Sequence, residues 1–411
     1  MRRLLLVLLS VPLTSCLGLP SRQTPLIRAA DSLPESTPWD LAALSQPPEF
    51  EWGQEQEIRS LYFQGEPYRG QPTRVFAYYA TPGSLSGDAS MDSELPAVVL
   101  VHGGGGKAFS KWVRLWASRG YAAIAMDLTG AGPERKKLPD AGPAMSDPVI
   151  FNSMAEPVTD QWTYHAVANV IRAHSLILSL PEVDPRRTAI TGISWGGYLT
   201  CIVAGLDNRF SAAAPVYGCG FLHENSVWRN RLNQLPQEER AQWVQLWDPS
   251  QYVGSASMPM FFVNGGKDFA YPPDSHAKTY ALVRSQKNLY FVPELTHGHR
   301  FGQPKELERF IGQYLNDGVP LPKIGRPKRG AEKITAQVES TTPLVEATLH
   351  YTRDPSSIRA NQREWLTIPA AVTGKTISVG LPPDDTRIWF LTVKDELGSV
   401  VSSGLSFPNA P

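Results

Sequence analysis

Charge is scarce in this chain, and it is balanced. Lys and Arg number 39 and Asp and Glu number 39, so the formal net charge is zero and charged residues make up 19% of the total, below the roughly 25% usual in globular domains. A chain with no field of one sign has nothing to draw it to nucleic acid or to an anionic membrane surface, which excludes a dedicated nucleic-acid binder. Cysteine is scarcer still. Cys16, Cys201 and Cys219 are the only three, and neither their number nor their spacing suits a metal site or a disulfide framework. Long hydrophobic runs are also missing at the N-terminus, where the apolar stretch 4–13 falls short of the roughly 20 residues that cross a bilayer. Proline, glycine and tryptophan are plentiful, at 36, 33 and 11, and they point to many turns and exposed aromatic surfaces. With 42% hydrophobic residues in 411, the chain has the length of about two to three domains and enough apolar side chains for at least one large core.

Arg2 and Arg3 ahead of the apolar run have the form of a secretory signal. Leu13-Thr14-Ser15-Cys16 then resembles the lipobox of bacterial lipoproteins, which implies a signal peptide at 1–15, cleavage before Cys16 and acylation of its sulfur. An ordinary cleaved signal with an incidental cysteine is the alternative. Acyl chains on Cys16 would anchor the protein to a membrane without spanning it. Because Leu17 rather than Asp follows, the resemblance implies export to the cell envelope of a bacterium, at the outer membrane. In such an oxidising compartment Cys201 and Cys219 have the option of one disulfide. Their placement in a helix and in a loop after the next strand favours two buried thiols.

Residues 16–50 carry six prolines with little periodicity and read as a Pro-rich tether. From 51 to 318 short apolar strands alternate with helices. Strands are expected at 57–63, 74–79, 97–101, 122–126, 188–193, 212–217, 260–263 and 288–292, and helices at 109–119, 162–180, 196–204, 274–284 and 305–315. This alternation predicts an α/β domain, a mainly parallel sheet with helices on both faces. Prolines and a basic run make 319–332 a linker. Short alternating segments at 334–338, 345–351, 376–379 and 388–393 then predict a small all-β sandwich over 333–411.

Gly192-Ile193-Ser194-Trp195-Gly196 closes one predicted strand and opens a helix, the strand-turn-helix setting of a nucleophile elbow. Its glycines make room for a strained serine. A hydroxyl becomes a nucleophile when a histidine takes its proton and a carboxylate fixes that histidine's tautomer. Asp268, just past strand 260–263, is the expected acid, and Asp274 better suits a helix N-cap. His297 is the expected base, since Gly298 lets the chain turn its ring back to Ser194; His299 is the competitor and otherwise a neighbouring polar contact. The oxyanion needs two N–H donors, and Trp195 and Gly104 are expected to supply them, with Gly105 in reserve. Gly104 lies in the run His102-Gly103-Gly104-Gly105-Gly106. A phosphate cradle there would need a G-K-[ST] sequence that does not follow, and His102 reads as a brace for the loop. Trp162, Tyr217 and Phe269 fall where aromatic side chains would face a substrate, and neither metal nor organic cofactor is expected.

The glycine run, Asp127-Leu128-Thr129-Gly130-Ala131-Gly132, the segment Gly192-Ile193-Ser194-Trp195-Gly196-Gly197-Tyr198 and the late Asp268 and His297 together resemble the α/β-hydrolase fold. More narrowly, they resemble its acetyl xylan esterase, dienelactone hydrolase and prolyl oligopeptidase catalytic-domain branches, over roughly residues 55–318. The resemblance implies a serine hydrolase acting through an acyl-enzyme. Dienelactone hydrolases carry cysteine where Ser194 stands, and prolyl oligopeptidases carry a propeller for which this chain has no room. Carboxylic esters, with acylated carbohydrates among them, are therefore the expected substrates, and a serine peptidase is the alternative. A non-enzymatic adhesion or carbohydrate-binding lipoprotein is a third reading, against which the intact Ser194, Asp268 and His297 set speaks.

Overall fold

The structure, a computed structural model, describes residues 24–53, 55–302, 304–356 and 360–408. The expected signal and Cys16 lie outside these residues. Nine strands build the first sheet: β1 (Phe50–Trp52), β2 (Arg59–Gln64), β3 (Arg74–Ala80), β4 (Leu95–Val101), β5 (Ala122–Met126), β6 (Val183–Ile193), β7 (Ala212–Val216), β8 (Met260–Lys267) and β9 (Lys287–Thr296). Every residue of β4, β5 and β7 is buried, as expected of strands covered on both faces. β1, β2 and β3 pair antiparallel and β3 joins β5 antiparallel, after which the sheet is parallel in the order β5-β4-β6-β7-β8-β9.

That order places the functional site. The chain runs from β4 to β5 on one side and returns to β6 on the other, so the order of connection reverses between the parallel strands β4 and β6. Their carboxyl ends open a crevice of the kind where α/β sheets bind ligands. Val101 pairs with Gly192 there, which sets the glycine loop after β4 beside the serine turn after β6. The helix Trp195–Leu206 that leaves this turn is buried on every side. It lies in the middle of the core, with Tyr198 donating its hydroxyl to the Trp247 carbonyl.

The C-terminal strands are β10 (Lys323–Ile324), β11 (Lys328–Arg329), β12 (Lys333–Glu339), β13 (Leu344–Thr352), β14 (Leu366–Thr373), β15 (Thr376–Gly380), β16 (Ile388–Asp395) and β17 (Val400–Ser402). All their pairings are antiparallel, as an all-β region requires. This region is fastened to the hydrolase sheet. β17 pairs antiparallel with β9 at Ser402 and Leu289, the Phe291 N–H donates to Ser402 Oγ at 2.9 Å, and Arg309 meets buried Asp395 at 2.6 Å.

Two stretches differ from the sequence expectation. The expected tether is, over residues 24–50, a docked strap: Ile27, Trp39, Leu41 and Leu44 are buried, Trp39 donates its indole N–H to the Tyr164 carbonyl at 3.0 Å, and Ser175 Oγ donates to the Leu44 carbonyl at 2.7 Å. Its only regular element is the single helical turn Leu41–Leu44, and anchors this few and widely spaced leave no sustained helical or strand period in the sequence. The expected linker holds β10 and β11, both paired with β12. Its prolines fall outside both strands, where no ladder hydrogen bond is lost.

Candidate active site

Ser194 sits between β6 and the helix Trp195–Leu206 with φ 61° and ψ −121°, backbone angles that cost a non-glycine residue about 1–3 kcal/mol. The turn is possible because its neighbours lack side chains. A Cβ at Gly192 would stand 2.1 Å from the Gly196 carbonyl oxygen, and one at Gly196 would stand 1.9 Å from that of Val101. The result lifts Ser194 Oγ to within 2.8 Å of His297 Nε2. His297 Nδ1 in turn lies 2.8 Å from Asp268 Oδ2.

Each partner arrives on its own element. Asp268 follows β8 and is fully buried, its Oδ1 accepting the N–H groups of Ala270 at 2.7 Å and Tyr271 at 3.0 Å. Those two bonds fix the carboxylate so that Oδ2 is left for the imidazole. β9 runs to Thr296, further than the sequence suggested, and delivers His297 directly from the strand end. Asp274 lies apart, accepting both its hydrogen bonds from Asn225. It stands inside the first turn of helix Pro273–Leu282, whose N-cap is Pro272.

His299 reaches the other side of the serine turn, where its Nε2 accepts the Gly103 N–H at 3.3 Å. Burial, with His102 and His297 nearby, pulls its pKa down to about 4, so the ring stays a neutral acceptor above that pH. His102 holds the same loop from beneath: Nδ1 lies 2.8 Å from the Gly103 carbonyl oxygen and Nε2 accepts the Leu128 N–H at 3.0 Å. With Gly103 engaged, Gly104 is the next amide along, and a Cβ there would come to 3.0 Å from the Trp195 ring. Trp195 is the first residue of its helix, so its own N–H has no carbonyl four residues back to pair with.

The three aromatic residues expected to face a substrate separate. Phe269 is 54% exposed, with its ring 5.2 Å from His297. Tyr217 is buried against His297 at 4.8 Å, its hydroxyl donating to the Thr296 carbonyl. Burial and the nearby Asp268 charge push that phenol up to about 12, so it stays a neutral donor beside the imidazole. Trp162 is 1% exposed and spends its N–H on the Leu128 carbonyl at 2.8 Å. Contrary to expectation, it offers no face to a ligand, because it opens a helix buried along its length and its ring packs against Trp195. Cys201 and Cys219 are buried free thiols.

Sequence reasoning passed over Gly103 and Gly197. A Cβ at Gly103 would stand 2.8 Å from that of Ser194, and one at Gly197 would stand 2.5 Å from the Val216 carbonyl oxygen. The doubled glycines in both motifs were the available signal. Among the described residues no group of three or more His, Cys, Asp or Glu side chains is placed to hold a metal ion.

The family model for acetyl xylan esterase (AXE1) matches residues 31–260, more than half of the chain. A second, for PhoPQ-activated pathogenicity-related protein, matches 217–360, the stretch that carries Asp268 and His297. The acetyl esterase Axe7A of Xylanibacter ruminicola is 22% identical over 215 residues, 49% of this chain and 49% of that protein. The uncharacterized peptidase YuxL of Bacillus subtilis is 21% identical over 248 residues, 54% of this chain and 34% of that one. The chain thus spans about half or less of the length of the curated relatives it matches. Among solved structures, the acetyl xylan esterase from Paenibacillus sp. R4 superposes with a TM-score of 0.56 at 23% identity, covering 71% of this chain and 98% of that one. A sheet of this order, a strained serine at its reversal point and the long family match lead to one assignment: the chain belongs to the acetyl xylan esterase (AXE1) family.

Proposed function

We propose that this protein is a serine hydrolase of carboxylic esters, with acyl esters of carbohydrates as its substrate class. The observation that carries the reading is the unbroken line from Asp268 through His297 to Ser194, with both links at 2.8 Å. In the proposed reaction His297 Nε2 takes the Ser194 proton as Oγ attacks the ester carbonyl. The oxyanion is received by the Trp195 and Gly104 amides, at a helix N-terminus whose dipole favours negative charge. His297 then gives its proton to the departing alcohol. Water, activated by the same histidine, releases the acid from Ser194. Asp268 holds the imidazole tautomer and stabilises the imidazolium that forms within each half-reaction. Phe269, exposed above His297, is the surface on which the apolar face of a sugar would rest.

The test is a panel of short-chain aryl esters, acetylated xylan and aminoacyl anilides, run on the protein lacking residues 1–16 beside Ser194→Ala. Ester turnover that Ser194→Ala abolishes is expected. The match to YuxL favours a second reading, a serine peptidase, and anilide cleavage without ester turnover would replace the first reading by it. No Ser194-dependent turnover on any substrate would leave only the binding-protein reading. The proposed chemistry uses no metal, so turnover is expected to survive a chelator; its abolition would contradict the mechanism. We also propose that the mature chain begins at an acylated Cys16 and is held at the bacterial outer membrane. Cys16→Ala is then expected to move the expressed protein from the membrane to the soluble fraction, and a wild-type protein found soluble would contradict the anchor.

A further inference from the structure

Tyr271 meets every member of the Asp268–His297–Ser194 line. Its N–H donates to Asp268 Oδ1 at 3.0 Å, its ring lies 6.0 Å from that of His297, and its hydroxyl is directed at Ser194. That hydroxyl is buried and faces Ser194 without completing a hydrogen bond of good geometry to any described residue. The ring's other neighbour is Trp228, edge-on at 5.3 Å, and Trp228 packs 4.6 Å from Trp195. A buried polar group left unpaired costs about 1–3 kcal/mol, and nearly all such groups in folded proteins find a partner. Phenylalanine would fill the same space without that cost, so packing does not account for the oxygen. Burial, with Cys219 and Asp268 adding to it, holds the phenol well above its usual pKa of 10. It is therefore a donor at any working pH.

We propose that Tyr271 is a third hydrogen-bond donor of this site, its hydroxyl closing on the tetrahedral adduct at Ser194 while its ring and that of Trp228 wall the pocket for the acyl group. The inference rests on the serine hydrolase reading. When Oγ bonds to the carbonyl carbon, its proton passes to His297 and the electron pair of the broken π bond gathers on oxygen. The Tyr271 O–H donates to that adduct as it forms. When the adduct collapses, the carbonyl is restored and the alcohol leaves with the proton from His297. The donor is thus poorly satisfied in the resting enzyme and fully engaged only with the adduct, the kind of interaction that lowers a barrier. Two bulky rings across the acyl side select short acyl groups over long ones.

Tyr271→Phe removes the hydroxyl and keeps the wall. It is expected to lower kcat for an aryl acetate roughly tenfold to a hundredfold, the lower range for losing one such donor, with little change in KM. Its unfolding midpoint is expected to equal or exceed that of the wild type, because an unpaired buried hydroxyl is gone. A purely structural role predicts the reverse pairing: unchanged kcat, or a loss matched by a lower midpoint. A fluorophosphonate gives a readout that needs no ester. Ser194 displaces fluoride, its proton goes to His297, and a tetrahedral phosphonyl adduct remains, so Tyr271→Phe should label more slowly by the same factor. Labelling at the wild-type rate overturns the donor. Tyr271→Ala should raise turnover of aryl butyrate relative to acetate, and an unchanged ratio overturns the wall. If the wild type labels at Ser194 yet hydrolyses no ester, the substrate reading fails and the labelling rates alone decide the role of Tyr271.

Discussion

Ser194 occupies a backbone conformation that L-residues avoid, and the molecule keeps it there by pressing Gly196 against Val101 and Gly192 against Gly196. Strain of this kind is held for function, which gives it a measurable sign. Ser194→Gly relaxes the turn at some cost in chain entropy, so urea unfolding should show a protein as stable as the wild type or more stable by about 1–2 kcal/mol, while hydrolysis is lost. A clear loss of stability would mean that the turn is not strained. The glycines should behave in the opposite way. Gly196→Ala is expected to prevent folding or to lower the unfolding midpoint steeply. Gly254→Ala, where an added Cβ meets only the Leu282 carbonyl oxygen at 3.6 Å, should fold normally. At this scale the sequence was most legible, because G-x-S-x-G followed by G-Y has few uses beside a strand end. It was least legible for side chains such as Trp162, whose residue type suits a sugar face and a core equally well.

Strands and helices of the hydrolase sheet could be read closely, since buried parallel strands such as β4, β5 and β7 leave unbroken apolar runs. β14 escaped notice. Its buried-face alternation is weak, with half-buried and exposed residues in turn, and Pro369 interrupts it where β15 no longer pairs. The connection between the C-terminal region and the active site also left no mark in the sequence. Arg363, fully buried, donates to the carbonyls of Gly266 at 2.8 Å, Asp354 at 3.0 Å and Ser356. A Cβ at Gly266 would stand 2.3 Å from Trp365 Nε1, so this loop carries Asp268 against the β region. Arg363→Met should therefore lose about 1–3 kcal/mol for each carbonyl left unpaired, and kcat should fall with it because the Asp268 loop loses its rest. Full activity in that variant would show that the β region does not brace the site.

On the scale of the whole molecule, one core takes in the 24–50 strap, the hydrolase sheet and the C-terminal strands, and this core also buries histidines that the chemistry does not use. Burial brings His174 and His350 down to about 4 and His276 to about 3. His174 is met by Asp207 at 2.8 Å and by Thr188, and it lies 3.6 Å from the Phe210 ring. Above about pH 6.5 these rings are neutral folded or unfolded, and their contribution is whole. As pH falls from there towards 4, the unfolded chain takes protons that the folded one refuses, so stability declines by about 1.4 kcal/mol per pH unit for each ring. Unfolding midpoints measured across that window should drop steadily, and less steeply in His276→Phe. A flat profile would mean that these rings are charged in the folded state.

In the proposed mechanism Ser194, driven by His297 and Asp268, carries an acyl group between two half-reactions. The most direct test is to mix the enzyme with an aryl acetate, quench in acid within the first turnover, and locate the acetyl group by peptide mass spectrometry. One acetyl group on the Ser194 peptide is predicted for the wild type, with none in Ser194→Ala and a long-lived adduct in His297→Ala if any forms. Ester hydrolysis that proceeds at the wild-type rate in Ser194→Ala, or an acetyl group found on another residue that turns over, would contradict the account.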